Sequence, residues 1–249
     1  MPVLGVIPAR LGSSRLPRKP LLPLAGEPLI LWVVRRVVES RTCDHVVVAT
    51  DAAEVVTTVE RAGFEAVLTS QAPRSGTERV AEVIANKEFN AYDLILNVQG
   101  DEPLVTTDAL KGALGCVSDG DPIGTAAGTL DARLAADPHR VKVVVSPTGR
   151  AVYFSRAPIP FDRDGRDEVT YYQHVGVYAY TRAALERWVA LPPVPEERWE
   201  QLEQLRPLLH GLQIGVARLG NPPAPGVDTP DDLRFVEAVL TRKLKEVSP

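Results

Sequence analysis

Two cysteines, Cys43 and Cys116, are all that the 249-residue chain contains, and neither belongs to a C-x-x-C pair. A disulfide framework is therefore not expected. Long hydrophobic runs are missing too. No stretch reaches the length that spans a bilayer, and the first apolar run gives way to Arg10 with no h-region or small-residue cleavage site. The expectation is a cytoplasmic protein that contacts no membrane. Lysine is scarce, 6 residues against 22 arginines, and methionine occurs once, whereas proline occurs 22 times. A GC-rich genome or a hot habitat would each produce that bias. An excess of positive charge is also absent, since the formal net charge is −4. Nothing global therefore draws the chain to nucleic acid, and a polyanion would need a local basic cluster. What remains, 45% apolar and 24% charged residues, is the composition of a chain that folds on its own.

The pattern along the chain alternates. Val3 to Pro8 reads as a buried strand, and after a basic loop Pro28 to Glu39 has helical periodicity with a proline suited to its first turn. Strands are expected at His45 to Thr50, Ala66 to Thr69 and Asp93 to Val98, with helices at Ala52 to Ala62 and Glu78 to Lys87 between them. Such a βαβ series implies mainly parallel strands, with ligands gathered at their carboxyl ends. After Pro103 a helix at Asp108 to Val117 leads to extended runs at Ile123 to Thr129, Val141 to Ser146 and Ala151 to Ser155. These read as added or antiparallel strands. A polar loop at Asp162 to Thr170, a strand at His174 to Tyr180, a helix after Arg182, a proline-rich break at Leu191 to Pro195 and a helix through Glu200 to Leu209 follow. A short strand at Gln213 to Ala217 and a helix from Pro230 to about Lys245 close the chain. No internal repeat and no second independent domain is read.

The first loop is the chemical signal. Between Pro8 and Leu21 it carries Arg10, Arg15, Arg18 and Lys19, and the first 26 residues contain no acid. It has neither G-x-G-x-x-G nor G-x-x-x-x-G-K-[ST], so the dinucleotide and P-loop readings lack support. Two readings stay open, a solvated basic loop and a cradle for a triphosphate built from backbone N–H groups and charged side chains. Asp101, just past a strand, reads either as a turn former or as a hard oxygen ligand for Mg²⁺. Asp51-Ala52-Ala53-Glu54 has the form of a capping box, so Asp51 is read as a helix cap. Asp228 is different. Thr229 holds the N-cap position, Pro230 the first helical position and Asp232 that of the capping-box acid, which leaves Asp228 spare for the helix, to share one Mg²⁺ with Asp101 or to hold a second.

The loop resembles the P-A-R-x-x-S-x-R-L-P-x-K-P-L signature of the CMP-Kdo synthetases, Kdo being 3-deoxy-manno-octulosonate. Further blocks resemble that family in the same order: Ala49-Thr50-Asp51, Ser75-Gly76-Thr77-Glu78-Arg79, Asn97-Val98-Gln99-Gly100-Asp101-Glu102-Pro103, Val141-Lys142-Val143-Val144, Tyr153-Phe154-Ser155-Arg156-Ala157, His174-Val175-Gly176-Val177-Tyr178, Leu202-Glu203-Gln204-Leu205-Arg206 and Gly226-Val227-Asp228-Thr229-Pro230. Arg18 stands where the family often has glycine, and Gln173 where a basic residue is frequent.

The resemblance implies a three-layer α/β/α sandwich with a mainly parallel mixed sheet, of the nucleotide-diphosphosugar transferase type. It would form one cytidylyltransferase domain over 1–249, with a nucleotide-binding half to about 118 and a sugar-binding and dimerisation elaboration after it. It implies transfer of CMP from CTP to the 2-hydroxyl of Kdo with release of pyrophosphate, for lipopolysaccharide synthesis, by a Mg²⁺-dependent homodimer. An alternative acceptor is another 2-keto sugar acid or an amino variant of Kdo, suggested by Gln173 and the short loop before it. Arg10, Ser13, Arg15, Lys19, Ser75, Gly76, Arg79 and Gln99 would bind the nucleotide, and Arg15, Lys19, Asp101 and Asp228 would carry catalysis, the two aspartates through the metal. Arg156, Gln173, His174, Tyr178, Glu203 and Gln204 would form the sugar-acid pocket.

Overall fold

The computed structural model describes residues 1–12, 16–165 and 169–247. In chain order its elements are β1 (Val3–Ala9), the two-residue strands β2 (Pro23–Leu24) and β3 (Glu27–Pro28), α1 (Leu29–Ser40), β4 (His45–Thr50), α2 (Ala53–Arg61), β5 (Glu65–Leu68), α3 (Gly76–Ile84) and β6 (Leu94–Val98). Then come α4 (Thr107–Ser118), β7 (Ile123–Leu130), β8 (Lys142–Val145), β9 (Ala151–Ser155), β10 (Tyr171–Thr181), α5 (Arg182–Ala190), α6 (Pro195–Glu200), α7 (Leu205–Leu209), β11 (Ile214–Leu219) and α8 (Pro230–Val247). The expected alternation is there. The chain forms two compact units, one of 1–92, 97–107 and 224–249, the other of 93–96 and 108–223. The C-terminal segment thus belongs with the N-terminal one.

In the first unit β1, β4 and β5 pair in parallel, Val6 opposite Val47 and Val48 opposite Ala66. Every residue of β1 is buried, as continuous apolar runs are in parallel sheets covered on both faces. Helix α1 buries Leu29, Ile30, Leu31, Val33, Val34 and Val37, all but Leu31 in a stripe at the 3.6-residue period. Helix α8 buries Val236 and Leu240, one turn apart. At its start Thr229 and Asp232 bond reciprocally, Asp232 Oδ2 accepting from Thr229 N at 2.8 Å and Thr229 Oγ1 from Asp232 N at 3.2 Å. The capping box read from the sequence is formed, and Asp228 lies ahead of it.

In the second unit β7 pairs in parallel with β11 and antiparallel with β10, whose register slips between Val175 and Tyr178. Strands β8 and β9 form an antiparallel pair, and Gln173 of β10 lies opposite Lys142 of β8. Trp188 of α5 is almost fully buried and meets Tyr178 and Tyr180 edge-on, ring centroids 5.7 and 5.6 Å apart. The helix expected through Glu200 to Leu209 is broken. Gln201 turns left-handed (φ 52°, ψ 48°) at the end of α6, and the chain resumes as α7 with Leu202 and Leu205 turned into the core. Arg206 and Glu197 form a two-pronged ion pair across the break, at 2.8 and 2.6 Å.

Helix α4 approaches β7 so closely that a Cβ on Gly124 would lie 2.0 Å from the Ala113 carbonyl oxygen, whereas one on Gly115 would meet nothing within 4 Å. Gly124→Ala should therefore destabilise the protein by about 1–3 kcal/mol through overpacking. Gly115→Ala should stabilise it by roughly 0.5–1 kcal/mol, the helix-interior difference between the two residues. Urea melts of the two variants check the opposite signs.

Candidate active site

The first unit contains a cavity of about 320 Å³. Its walls come from the end of β1 and the basic loop (Pro8, Ala9, Arg10, Gly12, Lys19, Pro20), the start of α3 (Ser75, Gly76, Arg79), the turn after β6 (Gln99, Gly100, Asp101) and Asp228. Of the residues expected to bind a nucleotide or a metal, Arg10, Lys19, Ser75, Gly76, Arg79, Gln99, Asp101 and Asp228 meet here. Ser13 and Arg15 lie outside the described residues. Pro8, Ala9, Gly12, Pro20 and Gly100 were not anticipated, because none brings a charged or polar side chain to the cavity. Gly100 has a signature nonetheless: a Cβ there would lie 2.7 Å from the Pro8 carbonyl oxygen, so only glycine lets the two strand ends approach.

Charge is arranged in two layers. Helix α3 begins with its N-cap Ser75, whose Oγ accepts from Glu78 N at 3.2 Å. Ser75 is therefore the capping residue. The N–H groups of this first turn and the positive end of the helix dipole make a ready site for an anion, and the Arg10 side chain stands beside it, Nη1 3.4 Å from Arg74 O. Deeper in, Lys19 Nζ donates to Asp101 Oδ2 at 2.6 Å and to Asp228 Oδ1 at 2.8 Å. Burial works against the Lys19 charge, but the Asp101 and then the Asp228 carboxylates outweigh it and raise its pKa above the ordinary lysine value.

Among the described residues no group of three or more His, Cys, Asp or Glu side chains is placed to hold a metal. The donor set available is the Asp101–Asp228 pair, and the ammonium between them shows that the pair accommodates a cation. Two hard carboxylates with phosphate oxygens completing the shell are the ligands Mg²⁺ takes, whereas an all-protein cage is not.

Asp51 does not cap α2. Its N-cap is Ala52 with no side-chain bond, and Asp51 Oδ2 accepts from Arg79 Nη2 at 3.1 Å. The Arg79 side chain is only 3% exposed and also donates to Thr69 Oγ1 and to Ser70 O. A buried guanidinium demands an anionic partner, and that demand overrides the local capping pattern. Residues 51 and 79 are neighbours only in space.

The residues expected around a sugar acid all lie in the second unit. Gln173, His174 and Tyr178 sit on β10, and Glu203 and Gln204 in the turn after Gln201. Arg156, after β9, donates to the carbonyls of Glu200 (2.6 Å), Pro138 (2.8 Å) and Gln201 (3.3 Å). Its fork holds that turn in place. Gln173 accepts from Arg140 Nη1 at 3.0 Å. His174 packs against Phe154 and Tyr178, both ring centroids 5.2 Å away. Thr125 Oγ1 donates to Val177 O at 2.7 Å and lies 3.0 Å from His174 Nε2, so the imidazole must donate there and carry its proton on Nε2. The Tyr178 hydroxyl is buried without a hydrogen-bond partner among the described residues. Burial first, then Tyr180 and Glu203, pushes its pKa well above the usual phenol value.

A family model described as cytidylyltransferase matches residues 4–214. The chain belongs to the cytidylyltransferase family. It is 53% identical over 238 residues to a 3-deoxy-manno-octulosonate cytidylyltransferase of Gemmatimonas aurantiaca, covering 94% of this chain and 92% of that one. It is 43% identical over 244 residues to the enzyme of that name from Acidobacterium capsulatum, covering 98% of each. Among solved structures it resembles CMP:2-keto-3-deoxy-manno-octonic acid synthetase complexed with CTP, with TM-score 0.91, 39% identity and coverage of 98% of this chain and all of the other. The fold expected from the sequence, a mainly parallel mixed α/β sheet flanked by helices of the nucleotide-diphosphosugar transferase type, is the one found.

Two expectations follow from the cytidylyltransferase geometry. Asp51→Ala leaves the Arg79 guanidinium without its anion and should cost about 1.5–3 kcal/mol, the range for hydrogen bonds to charged groups. Asp51→Asn should fall between, whereas a pure capping role would leave it neutral; denaturant melts distinguish the two. Burial lowers the His174 pKa to about 3 from an ordinary 6.5. Below pH 6.5 the unfolded chain therefore takes up a proton that the folded protein refuses, and stability falls as pH drops toward 3. Thermal unfolding between pH 7 and 4.5 should show a steeper loss in the wild type than in His174→Gln.

Proposed function

We propose that the protein transfers the cytidylyl group of CTP to the 2-hydroxyl of 3-deoxy-manno-octulosonate, forming the CMP-sugar acid and releasing pyrophosphate. The observation that carries this reading is the single cavity in which the basic loop, the start of α3 and the Asp101–Asp228 pair face one another, in a chain 39% identical to a synthetase whose structure holds CTP. In the reaction the hydroxyl oxygen bonds to the α-phosphorus, the bond from that phosphorus to the bridging oxygen of the β-phosphate breaks, and the hydroxyl proton is released. Phosphoryl chemistry of this kind asks little covalent work of the protein and much positioning and charge stabilisation.

Arg10 and Lys19 supply positive charge to the phosphates, and the N–H groups at the start of α3 orient them. Gly76 lets the nucleotide approach the helix end, where Gln99 lies against the position a Cβ would take. Asp101 and Asp228 would hold Mg²⁺, which when bound supplies Lewis-acid stabilisation of the charge on the transferring group. His174, neutral and fixed by Thr125, and Tyr178, protonated, would offer hydrogen bonds to sugar hydroxyls. The same reading makes the protein a homodimer, with the exposed Phe161 and Trp199 as candidate contacts. A cytoplasmic place in lipopolysaccharide synthesis is part of the same reading, and no helix among the described residues is long and apolar enough to cross a membrane.

Pyrophosphate release should require CTP, the sugar acid and Mg²⁺ together, and UTP, ATP or GTP should not replace CTP. Turnover with another 2-keto sugar acid or an amino variant of Kdo, but none with Kdo itself, would move the acceptor while keeping the transfer. Asp228→Asn should keep the fold and bind CTP but lose roughly 10²–10³-fold in turnover, the scale of losing one preorganised charge-stabilising group. Release near the wild-type rate at limiting Mg²⁺ would remove Asp228 from the metal.

A further inference from the structure

An ammonium group and a metal ion cannot share the same two carboxylate oxygens. Lys19 Nζ bonds to Asp101 and Asp228 at once, so it stands where a cation ligated by both would stand. The backbone beneath it is fixed. Residues Lys19–Leu21 form a 3-10 turn entered through Arg18 in the left-handed region, with Leu22 N bonded to Lys19 O at 3.1 Å and Pro20 buried. The side chain above that turn is a flexible four-carbon stem, able to carry its charge several bond lengths without moving the backbone. The same cavity can offer the ammonium a second kind of anion, since Arg10, Ser75 and Gly76 also line it and a helix start beside a guanidinium attracts phosphate.

We propose that Lys19 is the resident counter-ion of the Asp101–Asp228 pair, and that it gives up that seat to a divalent cation only when a nucleoside triphosphate enters and takes its ammonium. The inference rests on reading this cavity as the site of nucleotide and metal. Nucleotide and metal then strengthen each other's binding through one side chain, and the coupling is reciprocal. Without nucleotide, the protein resists loading with metal alone, and the two carboxylates are kept from repelling each other.

Mn²⁺ is the probe, its free aquo ion being counted by electron paramagnetic resonance in the presence of the full-length protein. In the absence of nucleotide, Lys19→Met and Lys19→Gln should bind Mn²⁺ at least about tenfold more tightly than the wild type, the factor expected if Lys19 vacates its seat no more than a tenth of the time. Lys19→Arg, which keeps a cation at the carboxylates, should remain weak. Equal Mn²⁺ affinity of the wild type and both neutral variants overturns the proposal. A measurement without substitution covers the case in which the variants fail to fold. The wild-type Lys19 ammonium ¹⁵N resonance should shift when a non-hydrolysable CTP analogue and Mg²⁺ are added together, and an unmoved resonance also overturns the exchange. Adding Asp228→Asn to Lys19→Met should abolish the gained Mn²⁺ binding. If the gain survives, the cation lies elsewhere and the site reading fails, a different result from failure of the exchange.

Discussion

Lys19 ties together three segments that the chain keeps far apart, its Nζ bonding to Asp101, 82 residues away, and to Asp228, 209 residues away. Its side chain is 15% exposed, and a charge so far removed from water is tolerable only with partners of opposite sign and good geometry. Much of the first unit serves that requirement. The short turn fixes the lysine backbone, the close approach of Gly100 to Pro8 sets the turn that carries Asp101, and the reciprocal cap of Thr229 and Asp232 leaves Asp228 unneeded by its helix. Remove any of these and the cation and its anions would still exist in the sequence, but not in register.

A second buried cation obeys the same rule. Arg79 is held by Asp51, Thr69 and Ser70, so the end of β4 and the start of α3 are locked to each other where the cavity needs a rigid wall. Rigidity of this kind matters for group transfer, since a donor placed 1 Å out of position loses much of its effect. The second unit uses a comparable device in Lys142, fully buried, whose ammonium donates to the carbonyls of Asp137 and Arg156. Burial chiefly lowers its pKa, and the carbonyl dipoles keep the site usable for a cation. Buried basic side chains thus act as internal clasps in both units.

The residues proposed for the sugar acid are neutral instead. His174 is neutral because burial makes charging it unfavourable, and Tyr178 keeps its proton for the same reason. Such groups discriminate by hydrogen bonding, and a buried polar group that must find a partner penalises a ligand that cannot supply one. Arg156 is spent on backbone carbonyls, so its contribution is to fix the turn bearing Glu203 and Gln204.

The sequence by itself determined the parts that depend on near neighbours. Short β-branched runs and 3.6-residue apolar periodicity placed β4 and β9 to the residue and most other elements within two, the charge asymmetry of the first 26 residues marked the basic loop that lines the cavity, and the cap at Thr229 was legible in full. These are local facts of sterics and hydrogen bonding, legible from a few consecutive residues. Tertiary structure alone decided the rest. Asp51 looked like a cap until Arg79 required an anion, and Gln201 turns left-handed and ends α6 inside a pattern that reads as one helix. Lys19 pairs with two carboxylates that no spacing rule connects. Electrostatics and packing act through space, and the partner that satisfies a buried charge or fills a void is chosen by the fold rather than by its position along the chain.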